Sequence, residues 1–249
     1  MIAQLRSELL KQRTTRTSVA LVVWMLVLVL VVVLLHVFGL SAGSLRVARN
    51  QPKVYGWGTT IGALFAAVAG AICITAEYRT GTIRPTLLAA PRRTRLIVAK
   101  GLAAALLGLG LGLAAEVLVS AIATAGFAAR GIHVALDAGT FARLFAGGAA
   151  AAGLWAAIGV GVGAVVRNQV GAVVGLVVWL VLVEMLLLGD APSVGRFAPG
   201  ADAGALAGML PSTSSSTLLG PAAGAGILVA YVLVAVTAGA LTTERRDVD

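Results

Sequence analysis

Charge is what this 249-residue chain has least of: 12% of its residues are charged, against about 25% in an ordinary soluble domain. A single cysteine, Cys73, excludes an internal disulfide and leaves the redox compartment unread; within its apolar segment it reads as a small buried residue. Two histidines, His36 and His133, assemble no metal site by local spacing with one cysteine. No GxxxxGK[ST] phosphate loop occurs, so the chain does not bind and hydrolyse ATP by that route. The Ser/Thr run at 212–217 has no base pattern near it, which argues against a serine nucleophile. No catalytic residue, bound cofactor or metal is expected.

What is there is hydrocarbon. Hydrophobic residues make up 59% of the chain and the mean hydropathy is +0.98, which marks an integral membrane protein. Glycine is frequent, with 31 residues, and in lipid small residues let helices approach closely. The net charge of +9 does not point to nucleic acid, because the basic residues cluster beside apolar segments, where topology and anionic headgroups account for them. The apolar run 19–35 is unbroken for 17 residues, longer than the roughly 7–15 of a signal-peptide core, and is read as a retained span.

Six segments meet the ~20 apolar residues needed to cross a bilayer: about 18–40, 55–75, 96–128, 142–166, 169–188 and 221–241. The expected fold is therefore an all-α integral membrane protein forming one transmembrane domain over 1–249. The spans are too long and too continuously apolar for barrel strands. The third is long for one crossing and is interrupted by Glu116, so it starts in the interface, tilts or extends beyond the membrane. With the N-terminus inside, one side holds four Lys or Arg before the first span, six in the 76–100 stretch, Arg167, Arg245 and Arg246. That makes 13 against six on the other side, which predicts both termini in the cytoplasm of a multi-pass plasma-membrane protein.

Two segments flank this bundle. Residues 1–16 place Ile2, Leu5 and Leu9 at helical spacing among Arg6, Lys11, Arg13 and Arg16, as an interfacial amphipathic helix or a merely basic juxtamembrane tail would. Residues 189–220 carry Pro192, Pro199 and Pro211, and 203–210 is apolar but too short to span, so a re-entrant or interfacial helix and a plain extracellular loop both fit. Within the spans, Gly108, Gly110, Gly112, Gly159, Gly161 and Gly163 predict close helix packing rather than nucleotide loops. Glu116 and Glu184 fall inside spans. They read either as a cation-attracting substrate path, or as structural groups that pair with Arg143, Arg130 or His36 or reach the outer interface.

The 76–100 stretch, AEYRTGTIRPTLLAAPRRTRLIVAK, is too basic for hydrocarbon and is expected as a cytoplasmic loop over 76–95. Gly81, Pro85 and Pro91 punctuate it, and Ile83, Leu87 and Leu88 supply one apolar face of a short helix. Such a helix between two spans is a lever; a basic topological anchor is the other reading. Glu77-Tyr78-Arg79-Thr80-Gly81-Thr82, then Leu87-Leu88, Pro91-Arg92-Arg93 and Lys100, resemble the loop between the second and third spans of type-2 ATP-binding cassette (ABC) export permeases. Six spans, the N-terminal segment and the long segment before the last span extend the resemblance over the whole chain.

The resemblance implies a permease subunit of an ATP-driven exporter of drugs, antibiotics or other amphiphiles, in a bacterial inner membrane. It implies a separate ATPase subunit holding ATP and Mg, and a second permease, identical or homologous, beside membrane lipid. By the same resemblance residues 81–90 form a cytoplasmic coupling helix that docks in a groove of the ATPase, with contact falling on Glu77, Arg79, Gly81, Thr82, Ile83, Pro85, Leu87, Leu88 and Arg92. The spans' poverty in aromatics leaves the substrate open. Two alternatives stand beside it: an ATP-independent secondary carrier or channel using Glu116 and Glu184, and a non-transporting membrane scaffold or immunity protein.

Overall fold

A computed structural model describes residues 2–83, 93–209 and 218–245. These form helices, with no strand among the described residues. Six helices are long and apolar enough to cross a membrane. In order, α1 is Ile2–Thr14, α2 Arg16–Gly39, α3 Trp57–Thr80, α4 Arg93–Ala129, α5 Ala138–Val166 and α6 Gln169–Asp190. A short α7, Pro199–Leu206, precedes α8, Pro221–Arg245. Helices are what such a sequence must form in lipid, where each backbone polar group needs a partner within its own segment.

The bundle is centred on α3 and α5, the two spans with the largest buried share. Both owe their burial to small side chains. A β-carbon at Gly70 would run into the Ala156 carbonyl, and one at Gly159 into the Ala67 carbonyl, so the two backbones touch directly. Gly112 brings α4 against α5, where a β-carbon would lie 2.9 Å from the Ala149 Cα. Gly161 does the same for α8 at Ala235. The expectation that these glycines pack helices holds for Gly108, Gly112, Gly159, Gly161 and Gly163 and fails for Gly110, which faces open space.

The peripheral spans are attached by narrow stripes. In α2 the buried residues are Met25, Val29, Val33 and Val37, one per turn, while Trp24, Val31 and Leu35 are exposed. A fully apolar helix with one buried stripe is what lipid permits and water does not. Its far end is latched by Arg130, which donates to the carbonyls of Val37 and Leu40. At that same distal end Gln51 is fully buried and spans three segments, bonding the Leu45 and His133 carbonyls and the Ala135 amide.

Segment 189–220 differs from a plain loop. It contributes α7, buried against α3, α5 and α8, with Gly147 of α5 set directly on the Leu206 and Ala207 backbone. The apolar stretch expected at 203–210 begins earlier, at Pro199, because proline suits the first turn of a helix. The helices α3 and α4 also reach further into the 76–95 stretch than expected, to Thr80 and from Arg93, since nothing before Gly81 or after Arg93 breaks a helix.

The glycine contacts make a direct prediction. Gly159→Ala should destabilise the fold by about 1–3 kcal/mol through overpacking. Gly110→Ala, facing open space, should leave stability unchanged or slightly raised. Thermal unfolding of both variants in the same detergent, followed by circular dichroism, checks the pair.

Candidate functional site

Four charged residues from three helices close into a ring at the end of the bundle that carries α1 and the last turn of α8. Glu8 and Lys11 lie three apart on one face of α1, Glu77 is in the last turn of α3, and Lys100 is two turns into α4. Lys100 Nζ donates to Glu8 Oε2 at 2.6 Å and to Glu77 Oε1 at 2.8 Å. Lys11 Nζ donates to Glu8 Oε1 and to Glu77 Oε1, each at 3.0 Å. Each lysine thus bonds both carboxylates and the ring has no net charge. Lys100 is fully buried. An isolated ammonium there would cost several kcal/mol, and only paired, hydrogen-bonded carboxylates make it tolerable. Burial pushes the Lys11 ammonium down, but its bonds to Glu8 and Glu77 outweigh this and hold its pKa above the ordinary value.

The remaining motif residues clamp the same end. Arg79 Nε donates to Gln169 Oε1 at 3.0 Å, tying α3 to the start of α6. Arg167 stacks its guanidinium 5.3 Å from the Tyr78 ring centroid and donates to the Thr242 carbonyl at 3.0 Å. It does so from a left-handed conformation, φ 58°, which a side chain adopts only at a cost. Thr94 of α4 donates to Glu244 of α8. Gly81, at φ 72°, ends α3 in the left-handed conformation that glycine adopts freely. The Thr80 and Thr82 hydroxyls lie 2.9 Å apart, and Ile83 is buried. Pro85, Leu87, Leu88 and Arg92 fall outside the described residues.

Glu116 sits at the junction of α3, α4 and α5, fully buried. Thr59 donates to its Oε1 at 2.6 Å, and its Oε2 has no partner. Gly58 and Gly148 make the room, since a β-carbon at either would collide with the carboxylate. Glu184 lies toward the distal end of α6, just after a turn of π-helix at Trp179–Val183. The Trp179 Nε1 donates to Glu184 Oε1 at 2.8 Å and the Gly200 amide at 2.9 Å. That extra residue in the turn rotates Glu184 inward on an otherwise exposed helix, and such bulges recur at functional sites.

The structural reading of these two carboxylates, pairing with Arg143, Arg130 or His36, is not what the structure shows. Arg130 is spent on α2 carbonyls, Arg143 on the Thr140 hydroxyl, and His36 on the Val32 carbonyl and the Trp57 ring. Nor does any contact join Glu116 to Glu184. Among the described residues no group of three His, Cys, Asp or Glu could hold a metal ion.

Sequence reasoning missed Glu8, Lys11 and Lys100 as a unit, and it missed Asp202 on α7. A signal for the first was present: Glu8 and Glu77 are the only acidic residues before Glu116, and both are spent on the ring. Asp202 is fully buried with neither carboxylate oxygen partnered, and burial pushes its pKa from 3.8 to about 7.

Two predictions follow from these environments. Lys100→Met leaves two carboxylates without their buried cation and should cost about 3–5 kcal/mol, whereas Lys11→Met, half exposed, should cost below about 1 kcal/mol. Chemical unfolding in detergent measures both. For Asp202, the folded protein holds a proton that the unfolded chain has already released, so stability should fall as pH rises from about 4 to about 7. Melting temperatures across that range should lose this slope in Asp202→Asn, and an unchanged slope would place the titration elsewhere. Set against known proteins, the chain matches no family model and no curated protein.

Proposed function

We propose that this chain is the permease subunit of a type-2 ABC exporter, moving an amphiphile such as a drug or antibiotic outward on the ATP hydrolysis of a separate subunit. The support begins with the motif resemblance over residues 77–100 and the six apolar helices. The observation that carries it is the ring at the base of the 81–92 segment. Glu77 and Lys100, on the two helices that the segment joins, are bonded at 2.8 Å. A push on that segment would therefore move α3 and α4 together, and α3 packs backbone to backbone on α5. Force that reaches Glu77 and Lys100 would pass through α3 to α5 at the bundle's centre. In this reading the ATPase docks on residues 81–92, both termini lie in the cytoplasm, and a second permease covers one of the exposed span faces.

A second reading, an ATP-independent carrier coupled to protons or cations, draws on the unpartnered Oε2 of Glu116 and the unpartnered Asp202. Carboxylates in such settings commonly mark ion paths.

Co-expression with an ATPase from the adjacent gene separates the two readings. Gly81→Pro with Leu87→Asp should leave membrane insertion intact, because both positions lie in sequence between the second and third apolar helices and Gly81 has open space where a β-carbon would stand. It should lower efflux at least about tenfold and abolish substrate stimulation of the partner ATPase, since proline cannot adopt the φ of 72° that Gly81 uses. Normal efflux and normal ATPase association in the double variant would sink the proposal. Glu116→Gln should instead dominate if the carrier reading holds. Orientation is checked with single cysteines at Arg79, Arg92 and Ser214 in a Cys73→Ser background: an impermeant thiol reagent on intact cells should label only position 214.

A further inference from the structure

The helix α7 is seated with very little side-chain surface. Apart from Pro199, only Asp202 and Leu206 carry side chains larger than a methyl group. Backbone contact takes their place: Gly147 of α5 meets the Leu206 and Ala207 backbone, and a β-carbon at Gly224 of α8 would lie 2.9 Å from the Asp202 carbonyl oxygen. Eight residues are too few to hold a helix in isolation, so the shape of α7 depends on its seat. One end of that seat is built by α6. Glu184 Oε1 accepts from the Gly200 amide in the first turn of α7, and a β-carbon at Gly200 would collide with Glu184 Oε2. A carboxyl group on another helix thus takes the capping role at the start of α7.

Asp202 is the weak point of this seat. It is fully buried, and neither carboxyl oxygen has a partner. The titratable groups around it come from several elements. The Glu184 carboxyl of α6 is held by Trp179 and Gly200, and the Tyr231 hydroxyl of α8 donates to the Phe197 carbonyl at 3.2 Å. Arg143 of α5 lies beside Gly208, past the end of α7, and Arg196, before its start, stacks 4.7 Å from the Phe197 ring centroid. The titratable side chains of α3 are all in its second half, from Cys73 onward. None of these groups bonds Asp202. A neutral acid is tolerable in such a place, and an ionised one without donor or cation is not. Burial accordingly raises the Asp202 pKa to about 7.

We propose that α7 is a proton-operated latch: with Asp202 neutral it stays seated among α3, α5 and α8, and with Asp202 ionised it leaves that seat while the spans remain assembled. Unseating returns Asp202 to water, where an aspartic acid loses its proton near pH 4. The sign follows from that difference. The unseated form is rarest below about pH 4, gains by up to about tenfold per pH unit as the pH rises toward about 7, and levels off above it, where the seated form is ionised too. Glu184 is the positioning residue of the latch, because it fixes the first turn of α7 without itself having to titrate. The inference needs neither an ATPase nor transport, so it stands or falls apart from both readings of function.

Amide hydrogen exchange of the full-length protein in detergent micelles, corrected for the intrinsic rate at each pH, tests the latch. At pH 7 the amides of residues 203–206 should be at least about tenfold less protected than those of residues 151–160 in α5, as opening of one element alone requires. Between pH 5 and pH 7 the protection of 203–206 should fall at least about tenfold, and it should level off by pH 8. Asp202→Asn keeps the shape of the neutral acid and cannot ionise, so it should abolish the fall. Glu184→Gln keeps an acceptor for Gly200 and should retain it. Equal protection in α7 and α5, a flat profile in the unaltered protein, or a fall that survives in Asp202→Asn would each overturn the proposal. Should Asp202→Asn not fold, the unaltered protein and Glu184→Gln decide, and a fall lost in Glu184→Gln would move the titration to Glu184 and sink the assignment.

Discussion

Backbone-to-backbone contact between α3 and α5 is the constraint from which the rest of the architecture descends. In lipid there is no hydrophobic gain when one apolar helix meets another, so association rests on close van der Waals packing and on polar contacts. Gly70 and Gly159 remove the side chains that would hold these helices apart, each lying where a β-carbon would strike the other helix's carbonyl. With that pair fixed, α4 joins through Gly108 and Gly112 and α8 through Gly161. Dispersion is short-ranged, so a few tenths of an ångström at each crossing decide how many atoms are in contact. The outer spans α2 and α6 need no such precision and are apolar nearly all round.

Against that apolar background the charged groups divide into two populations. Those near the end carrying α1 are paired, although Glu77 Oε2 and Arg167 Nε have no partner: the ring gives each lysine two carboxylates, and Arg79, Tyr78 and Arg167 hold α3, α5, α6 and α8 together. Those deeper or toward the distal end are not. Glu116 has one donor for two oxygens and Asp202 has none, in a protein whose other buried polar groups mostly find partners. The fold thus places Lys100 between two carboxylates yet leaves Glu116 and Asp202 short of donors.

The sequence spoke clearly about the spans and poorly about how they meet. Six helices are visible as apolar runs because the requirement for ~20 such residues is local. Gly81 was read only as punctuation within a loop beginning at 76, whereas it ends α3. The ring was not, because Glu8 and Lys100 are 92 residues apart and no periodicity links them. Lys100 was counted with the basic 76–100 stretch at the start of the third span, and it lies two turns inside α4, which begins at Arg93. Glu116 and Glu184 stood out as charges in apolar runs, but their partners Thr59, Trp179 and Gly200 could not be inferred. The π-turn at Trp179–Val183 that rotates Glu184 inward has no sequence signature. Asp202 escaped notice because its burial depends on α7 lodging among three spans.

The ring also orders events during synthesis. Chains emerge N-terminus first, and Glu8 and Lys11 leave the ribosome long before Lys100 does. Until the third long helix has entered the membrane, the first helix has neither of its two deep partners complete, and Glu77 has a single lysine to bond. The N-terminal segment can therefore meet Glu77 through Lys11 first, and the ring closes only when Lys100 arrives. A chain truncated between Thr80 and Lys100 would carry an unfinished circuit at its membrane face, a feature that quality-control proteases could read as an incomplete product.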